Sequence, residues 1–106
     1  AKNSEKVDSS KLYKNIVFLE MKSRGYEVEV GKWENREIDF ICRKGKEKLY
    51  IQVAYLITET DEKREFGNLE EIKDNYPKYV ISGDLMDLSR NGIIHKNIIR
   101  FLLDEK

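Results

Sequence analysis

Two neighbouring apolar stretches of the sequence each carry a polar residue that could take part in chemistry. Asp39 lies in EIDFICRK, and Gln52 lies in EKLYIQVAY, which is otherwise almost continuously apolar after its first two residues. Carboxylate and amide oxygens can ligate a hard cation such as Mg²⁺, which polarises a phosphate and the water that attacks it. A buried glutamine also needs hydrogen-bond partners, so a structural role for the pair is an open alternative.

The register of a hairpin predicts how these two residues face each other. A four-residue turn over 44–47 and a tighter turn centred on 45–46 give the same pairing of the two strands. In this register Asp39 stands directly opposite Gln52, and Ala54 shares their face of the sheet. The sequence therefore predicts that Asp39 and Gln52 are in contact.

The predicted hairpin turn is strongly basic. It carries four cationic side chains within six residues, namely Arg43, Lys44, Lys46 and Lys48. Twenty basic and twenty acidic residues leave the whole chain with a formal net charge of zero, so any binding of nucleic acid must rest on a local patch. The hairpin is a candidate for phosphate contact, and an ordinary solvated turn is the alternative.

The elements around these residues follow from hydrophobic periodicity and from start and stop residues. Ser9 or Ser10 can cap a helix that runs to Gly25, with Glu20 within its apolar face. Three strands, a charged helix, one or two short strands and a closing helix capped by Asn97 complete the order. We expect an α/β fold with a central mixed sheet of four or five strands flanked by helices. The helix over 9–25 is expected to pack on the face that carries Asp39.

Domain organisation and cell compartment follow from length and composition. Residues 1–8 are polar and predict a linker, which leaves a single domain over 9–106. The one cysteine, Cys42, lies in an apolar run and predicts a small buried side chain in a reducing compartment. No segment is apolar over a length that would span a membrane, so we expect a cytoplasmic protein without a membrane partner.

The motifs, taken together, resemble a known family. The order of elements, with an aspartate on one strand and a polar-x-polar pattern on the next, is similar to the restriction-endonuclease-like PD-(D/E)XK fold. Over nearly the whole chain the sequence resembles the nuclease-like C-terminal domain attached to AAA+-type ATPases of bacteria and archaea. The segments that carry this resemblance are N-x-V-x-x-E from Asn15, RGYEV, EIDF, YIQVAY, KDNYPKYV and NGIIHKNII. The resemblance implies an ATP-binding module elsewhere in the protein, because this chain has no G-x-x-x-x-G-K-[ST] loop.

The resemblance also implies roles for particular positions. Asp39 matches the metal-binding aspartate of the fold, Gln52 stands at the second carboxylate position, and Ala54 stands at the lysine position. Lys14 falls where related resolvases carry a glutamate on the first helix. Glu20 could act as a substitute carboxylate, which would make Asp39, Glu20 and Gln52 the candidate ligands of Mg²⁺. Lys14 could in principle replace the missing lysine.

Three functions are compatible with these observations. The leading hypothesis is a catalytically degenerate nuclease-fold domain that binds nucleic acid or protein and serves an ATPase module. The second is an active Mg²⁺-dependent DNA nuclease that uses Asp39, Glu20 and Gln52. The third is a structural oligomerisation domain. The absence of a lysine at Ala54 and the charge reversal at Lys14 favour the first hypothesis over the second.

Overall fold

The computed structural model describes residues 2–33 and 36–104, with side chains over 8–32 and 37–104. These residues form three helices and five strands. In order they are α1 (Lys2–Ser23), β1 (Glu27–Trp33), β2 (Arg36–Lys44), β3 (Glu47–Val53), α2 (Glu59–Glu70), β4 (Lys78–Ser82), β5 (Ile94–Asn97) and α3 (Ile98–Leu103). Within this part of the chain, no helix has the length and apolar character needed to cross a membrane.

The strands form one mixed sheet in the order β1-β2-β3-β4-β5. The first three make an antiparallel meander, whereas β4 runs parallel to β3 and β5 runs parallel to β4. A parallel neighbour cannot be reached through a tight turn, and α2 lies in the crossover from β3 to β4. The predicted α/β class and the five-stranded mixed sheet flanked by helices are confirmed.

The helices cover opposite faces of this sheet. Val17 and Met21 of α1 pack with the alternating side chains of β2 and β3 on one face, together with residues of α3. The other face packs against Phe66 and Leu69 of α2. The side chains of β2 and β3 that α1 covers are Phe40, Cys42, Ile51 and Val53. The expectation that α1 packs on the face of Asp39 is therefore wrong for the body of the helix, because these apolar residues alternate with Asp39 and Gln52 along their strands.

A β-bulge in β2 changes which residues point to each face. Glu29 pairs with Ile41 and Gly31 pairs with Ile38, so two residues of β2, at positions 39 and 40, stand opposite one residue of β1. The bulge explains why Ile38 and Ile41 both contact the α2 side although three positions separate them. Glycine suits position 31, because a Cβ atom there would collide with the Ile41 side chain unless that side chain shifted. Asp39 thus lies at the kink of its strand.

Helix α1 begins earlier than the sequence predicts. It starts at Lys2 and passes through Ser9 and Ser10, so neither serine caps it and most of the segment expected to be a linker is helical. No proline or glycine interrupts this segment, and the helix can therefore extend toward the N-terminus. The predicted end is confirmed. Gly25 adopts a φ of 92°, and the Gly25 and Tyr26 N–H groups donate to carbonyls of the last helical turn.

Cys42 is buried and free, as predicted. Burial raises the pKa of its thiol to about 12, so the side chain is an unreactive part of the core at neutral pH.

Candidate functional site: the Asp39 cleft

A cleft of about 620 Å³ opens where the first half of α1, the start of β2, the end of β3 and α2 meet. We call it the Asp39 cleft. The predicted residues that line it are Lys14, Asp39, Gln52 and Ala54. Further polar side chains come from α2, namely Asp61, Arg64, Glu65 and Asn68. The two strands supply its floor and the two helices supply opposite walls.

Asp39 and Gln52 link the ends of β2 and β3 to each other. The predicted register is confirmed from the Lys44–Glu47 pair to the Phe40–Ile51 pair, where the regular ladder stops. Beyond that point, the Asp39 N–H donates to Gln52 Oε1 at 2.7 Å, and the Val53 N–H donates to Asp39 Oδ2 at 2.8 Å. The two side chains thus satisfy backbone groups that the ladder leaves unpaired.

The same glutamine also contacts the start of β2. Its Nε2 donates to the Glu37 carbonyl oxygen at 3.4 Å, and the Asn68 side chain of α2 donates to that oxygen at 3.0 Å. Gln52 is buried, so these contacts complete the partners that a buried amide requires. The predicted contact between Asp39 and Gln52 is confirmed, and its form is a reciprocal link between side chain and backbone.

Lys14 reaches the cleft from α1. Its Nζ lies 3.4 Å from Asp39 Oδ1, with 44% of the lysine side chain and 21% of the aspartate side chain exposed. The ammonium therefore stands beside the one oxygen of Asp39 that does not accept from Val53. Of the two helix residues considered in the sequence, it is Lys14 that approaches Asp39.

Glu20 lies elsewhere on α1. Its carboxylate accepts a hydrogen bond from Arg24 Nε at 2.8 Å, and Arg24 in turn donates to the Phe101 carbonyl oxygen at 2.7 Å. Glu20 does not line the Asp39 cleft, so the expectation that it shares a pocket with Asp39 is wrong. The reason is that α1 lies across the other face of the sheet, where its last turn packs near α3.

Ala54 takes part in the sheet through its backbone alone. Its N–H donates to the Ile81 carbonyl oxygen at 3.0 Å, which extends the pairing of β3 with β4, and the residue is buried. Its methyl group contributes no charge or proton donor to the cleft. A lysine could reach the cleft chemistry only from another element, and Lys14 is the lysine found beside Asp39.

Glu65 is a carboxylate of the cleft that the sequence analysis missed. Only 6% of the residue is exposed, and its nearest cation is Arg64, whose Nε lies 3.4 Å from Glu65 Oε1. Burial, and secondly the charge of Asp39, raise the pKa of Glu65 to about 7, against the smaller opposing effects of Arg64 and Lys14. From the sequence, α2 was described only as a charged helix. The signal that could have identified Glu65 is its position directly before Phe66, at the margin of the apolar stripe of α2.

The basic hairpin does not form a single patch. Arg43 pairs with Glu29, and Lys48 lies over the Tyr50 and Tyr76 rings. Lys44 lies over the ring of Tyr26, which packs with the core on the α1 side of the sheet. Lys46 is exposed at the tip. The hairpin is also distant from Asp39, since five residues of strand span about 17 Å.

A second polar cluster, which the sequence analysis did not identify, lies at the end of β4. Ser82 Oγ is 2.7 Å from His95 Nε2 and 2.7 Å from Asp84 Oδ2, and both Ser82 and His95 are buried. The Leu88 N–H donates to His95 Nδ1, which places the ring proton on Nε2 and makes the histidine the donor to Ser82. Burial lowers the pKa of His95, so the imidazole is neutral at pH 7. The serine donates to Asp84, and this direction is the reverse of that in a nucleophile activated by a histidine base.

Among the residues that the structure describes, no three His, Cys, Asp or Glu side chains come together in a group able to hold a metal ion. In the Asp39 cleft the charged and polar groups closest to Asp39 are the Lys14 ammonium, the Gln52 amide and, through its electrostatic effect, the Glu65 carboxyl.

Comparison with known proteins gives one informative match. No family model matches the chain. A protein of Haemophilus influenzae, described as "Uncharacterized protein", is 55% identical over 69 residues, which are 65% of this chain and 17% of the relative. The chain thus spans only a small part of the length of the relative that it matches.

Proposed function

We propose that this chain is a cytoplasmic nuclease-fold accessory domain of an AAA+-type ATPase, and that its cleft binds a partner without cleaving nucleic acid. One observation carries the proposal. Asp39 and Gln52 occupy the two metal-ligand positions of the motif. Gln52 Oε1 and Asp39 Oδ2 each accept a hydrogen bond from a backbone N–H group across β2 and β3. The helix, the antiparallel meander and the parallel strand after α2 support the resemblance to the PD-(D/E)XK core.

The donor set of the cleft does not fit Mg²⁺. This ion demands near-octahedral oxygen ligands at about 2.0–2.1 Å. Asp39 Oδ2 and Gln52 Oε1 accept backbone hydrogen bonds, and Asp39 Oδ1 faces the Lys14 ammonium. An ion at this position would have to displace Lys14 and compete with both cross-strand bonds. The lysine ammonium supplies, from within the protein, the positive charge that Asp39 would otherwise take from a metal.

The lining of the cleft suits a polar partner. Cationic side chains from α1 and α2, such as Lys11 and Arg64, lie around a floor that carries Glu37 and Asp39. Such a surface can pair with both charged signs of a protein segment, and its electrostatics favour specificity more than affinity. The ATPase module of the same polypeptide is the partner that the resemblance implies. The length of the Haemophilus influenzae relative, of which the matched region is 17%, leaves room for such a module.

An active Mg²⁺-dependent nuclease is the second candidate, and one observation favours it. The cleft holds a buried carboxyl at Glu65 and a lysine at Lys14, which supply from the helices the two group types that β3 lacks at Gln52 and Ala54. This arrangement would require Glu65 to ionise and Lys14 to turn from Asp39 toward a phosphate. The two candidates differ in a single measurable property, which is cleavage.

We expect no cleavage of single-stranded or duplex DNA by this chain with Mg²⁺ or Mn²⁺. The cleft lacks a second strand carboxylate and, at Ala54, the lysine of the motif. Losing one well-placed donor that stabilises the transition state commonly lowers a rate by about 10²–10³. The measurement is gel-resolved cleavage of labelled DNA, with Asp39→Ala as the matched control. Metal-dependent cleavage that disappears in Asp39→Ala or in Glu65→Gln would reject the first candidate and establish the second.

Two further measurements test separate parts of the proposal. The double variant Gln52→Glu/Ala54→Lys restores both motif residues, and metal-dependent cleavage by it would support descent from a nuclease site. Because two new charges in a buried strand can unfold the domain, circular dichroism must accompany this variant. The ATPase link is tested on the full-length Haemophilus influenzae relative. Absence of ATP binding and hydrolysis by that protein would contradict it.

A further inference from the structure

A second groove lies at the other end of β3 from the Asp39 cleft. It has a volume of about 450 Å³ and opens on the sheet face that α1 and α3 cover. Its apolar floor includes Leu49 and Ile51 of β3. Three aromatic and three cationic side chains line it, namely Tyr26, Tyr79, Phe101, Arg24, Lys44 and Lys96. We call it the tyrosine groove.

Each cation of the tyrosine groove lies over one of its aromatic rings. The distances from the cationic group to the ring centroid are 4.5 Å for Arg24 over Phe101, 5.3 Å for Lys44 over Tyr26 and 5.7 Å for Lys96 over Tyr79. These contacts fix long, flexible side chains above flat apolar surfaces. The groove therefore combines positive charge and aromatic faces before any ligand binds.

The two lysines of the groove have more N–H donors than these contacts use. Lys44 Nζ donates to the Arg24 carbonyl oxygen at 2.9 Å, and Lys96 Nζ pairs with Asp104 Oδ2 at 2.5 Å. An ammonium has three N–H groups, so each lysine that donates one of these hydrogen bonds has further N–H donors on the same nitrogen. Among the described residues that line the groove, Asp104 is the carboxylate. The three cations of the groove outnumber the two carboxylates paired with them, Glu20 on Arg24 and Asp104 on Lys96, in a chain whose formal net charge is zero.

We propose that the tyrosine groove binds a nucleotide unit, with its base taking the place of Lys44 or Lys96 over a tyrosine ring and its phosphate held by the two ammonium groups. Aromatic faces beside a positively charged groove are the combination by which proteins hold single nucleic-acid strands. The volume lies within the range of small-ligand sites, about 300–1,000 Å³. The unit can belong to a nucleic-acid strand or to a free nucleotide, since the recognised chemistry is the same. The proposal is independent of whether the Asp39 cleft cleaves or binds.

The first experiment locates the binding. Amide NMR shifts of the ¹⁵N-labelled 106-residue chain are recorded during titration with oligothymidylate, with ADP and with inorganic phosphate. We expect the largest shifts at Tyr26, Lys44, Tyr79 and Lys96. Shifts with oligothymidylate alone assign the unit to a strand, and shifts with ADP assign it to a free nucleotide as well. Absence of shifts with both, shifts confined to the Asp39 cleft, or an equal response to inorganic phosphate would overturn the proposal.

The second experiment uses a matched control. The variant Lys44→Met/Lys96→Met removes two groove cations, and Lys46→Met removes one cation at the exposed hairpin tip outside the groove. For single strands the salt dependence is about 0.7 per neutralised phosphate, and both lysines hold the same phosphate, so the loss of this contact should flatten the slope by about 0.7 and weaken binding about 5-fold at 0.1 M salt. Lys46→Met should keep the wild-type slope. An equal loss in both variants, or no loss in the double variant, would contradict a built site.

Discussion

Ser82, His95 and Asp84 have the side-chain types of a hydrolase triad, whereas the Asp39 cleft combines one strand aspartate with the neutral side chains of Gln52 and Ala54. Of the two regions, it is nevertheless the Asp39 cleft that is accessible to a ligand. Ser82 and His95 are buried, and the hydrogen bonds run in one direction, from imidazole to serine to aspartate. The Asp39 cleft is open and contains a buried carboxyl whose pKa is raised to about 7. Residue types alone do not make a functional site. A site also needs access from solvent and a group with a perturbed pKa.

The two regions also stabilise the fold differently. The Ser82–His95–Asp84 cluster fixes the chain after β4, because Asp84 Oδ2 also accepts from the Ile57 N–H and the Asn97 side chain donates to the Gly83 carbonyl oxygen. In the cleft, Glu65 destabilises the fold once it ionises, while Asp39 and Gln52 stabilise the strand ends. In the Ser82–His95–Asp84 cluster the side chains have hydrogen-bond partners, whereas in the cleft burial disfavours the ionised form of Glu65. The following changes test that difference.

The largest effect is expected at Glu65. Its folded-state pKa of about 7 lies above the usual glutamate pKa of 4.5, so the folded state binds more protons than the unfolded state between these values. The free energy of unfolding should therefore fall as pH rises from about 4.5 and level off above about 7. We expect Glu65→Gln to raise the free energy of unfolding by up to about 3 kcal/mol at pH 8, with little change at pH 4.

Urea denaturation of both proteins at several pH values measures this effect. Glu62→Gln, on the same helix but only partly buried, is the matched control; it leaves Glu65 in place, so its stability should keep the wild-type fall with pH. A loss of stability in Glu65→Gln at pH 8 would mean that the ionised carboxylate is a satisfied structural group. The contrast between the two regions would then disappear.

A smaller effect of opposite sign is expected at Ser82. Replacing it by alanine removes the acceptor of the His95 Nε2 proton and one donor to Asp84. A buried polar group left without its partner costs about 1–3 kcal/mol, so Ser82→Ala should lower the free energy of unfolding by about 2 kcal/mol. Ser10→Ala, a serine of α1 that lines the cleft, should change it by less than about 0.5 kcal/mol. Equal changes in the free energy of unfolding for the two variants in chemical denaturation would show that the buried cluster does not stabilise the fold more than Ser10 does.

The fold was predictable because it rests on periodicity and turn chemistry. The hairpin register follows from either turn, and the glycine at position 25 ends α1 as its conformational freedom allows. The start of α1 was not predictable from its serines, since a helix through 2–8 depends on the absence of breakers rather than on a cap. The face that α1 covers depends on which side of the sheet α2 occupies, and this is a tertiary choice that no local pattern encodes.

The strand register predicted only the part of the candidate site that lies on the strands, whereas Lys14 was named through the resemblance. Asp39 and Gln52 face each other through a register that short-range geometry fixes. Glu65 and Lys14 enter the cleft from helices, so their positions depend on how each helix packs on the sheet. Helical periodicity predicted that Glu20 lies on the inward face of α1. It does not predict that this part of the helix lies near α3 rather than near Asp39.

The smallest effect is expected at Lys14, and it tests whether the cleft acts as one electrostatic unit. The lysine is 44% exposed, so its ion pair with Asp39 should contribute less than about 1 kcal/mol to the free energy of unfolding. Its charge nevertheless lowers the pKa of Glu65, and Lys14→Met should therefore move the titration of Glu65 to higher pH. Carboxyl ¹³C NMR of Glu65 measures the shift. Lys11→Met, which removes an exposed cation from the same wall of the cleft, is the control and should leave the titration nearer to that of the wild type. Equal shifts in both variants would mean that Glu65 responds to the general field of α1. A loss of stability as large as that of Ser82→Ala would mean that Lys14 and Asp39 form a structural pair, and the cleft would then resemble the sealed cluster at the end of β4.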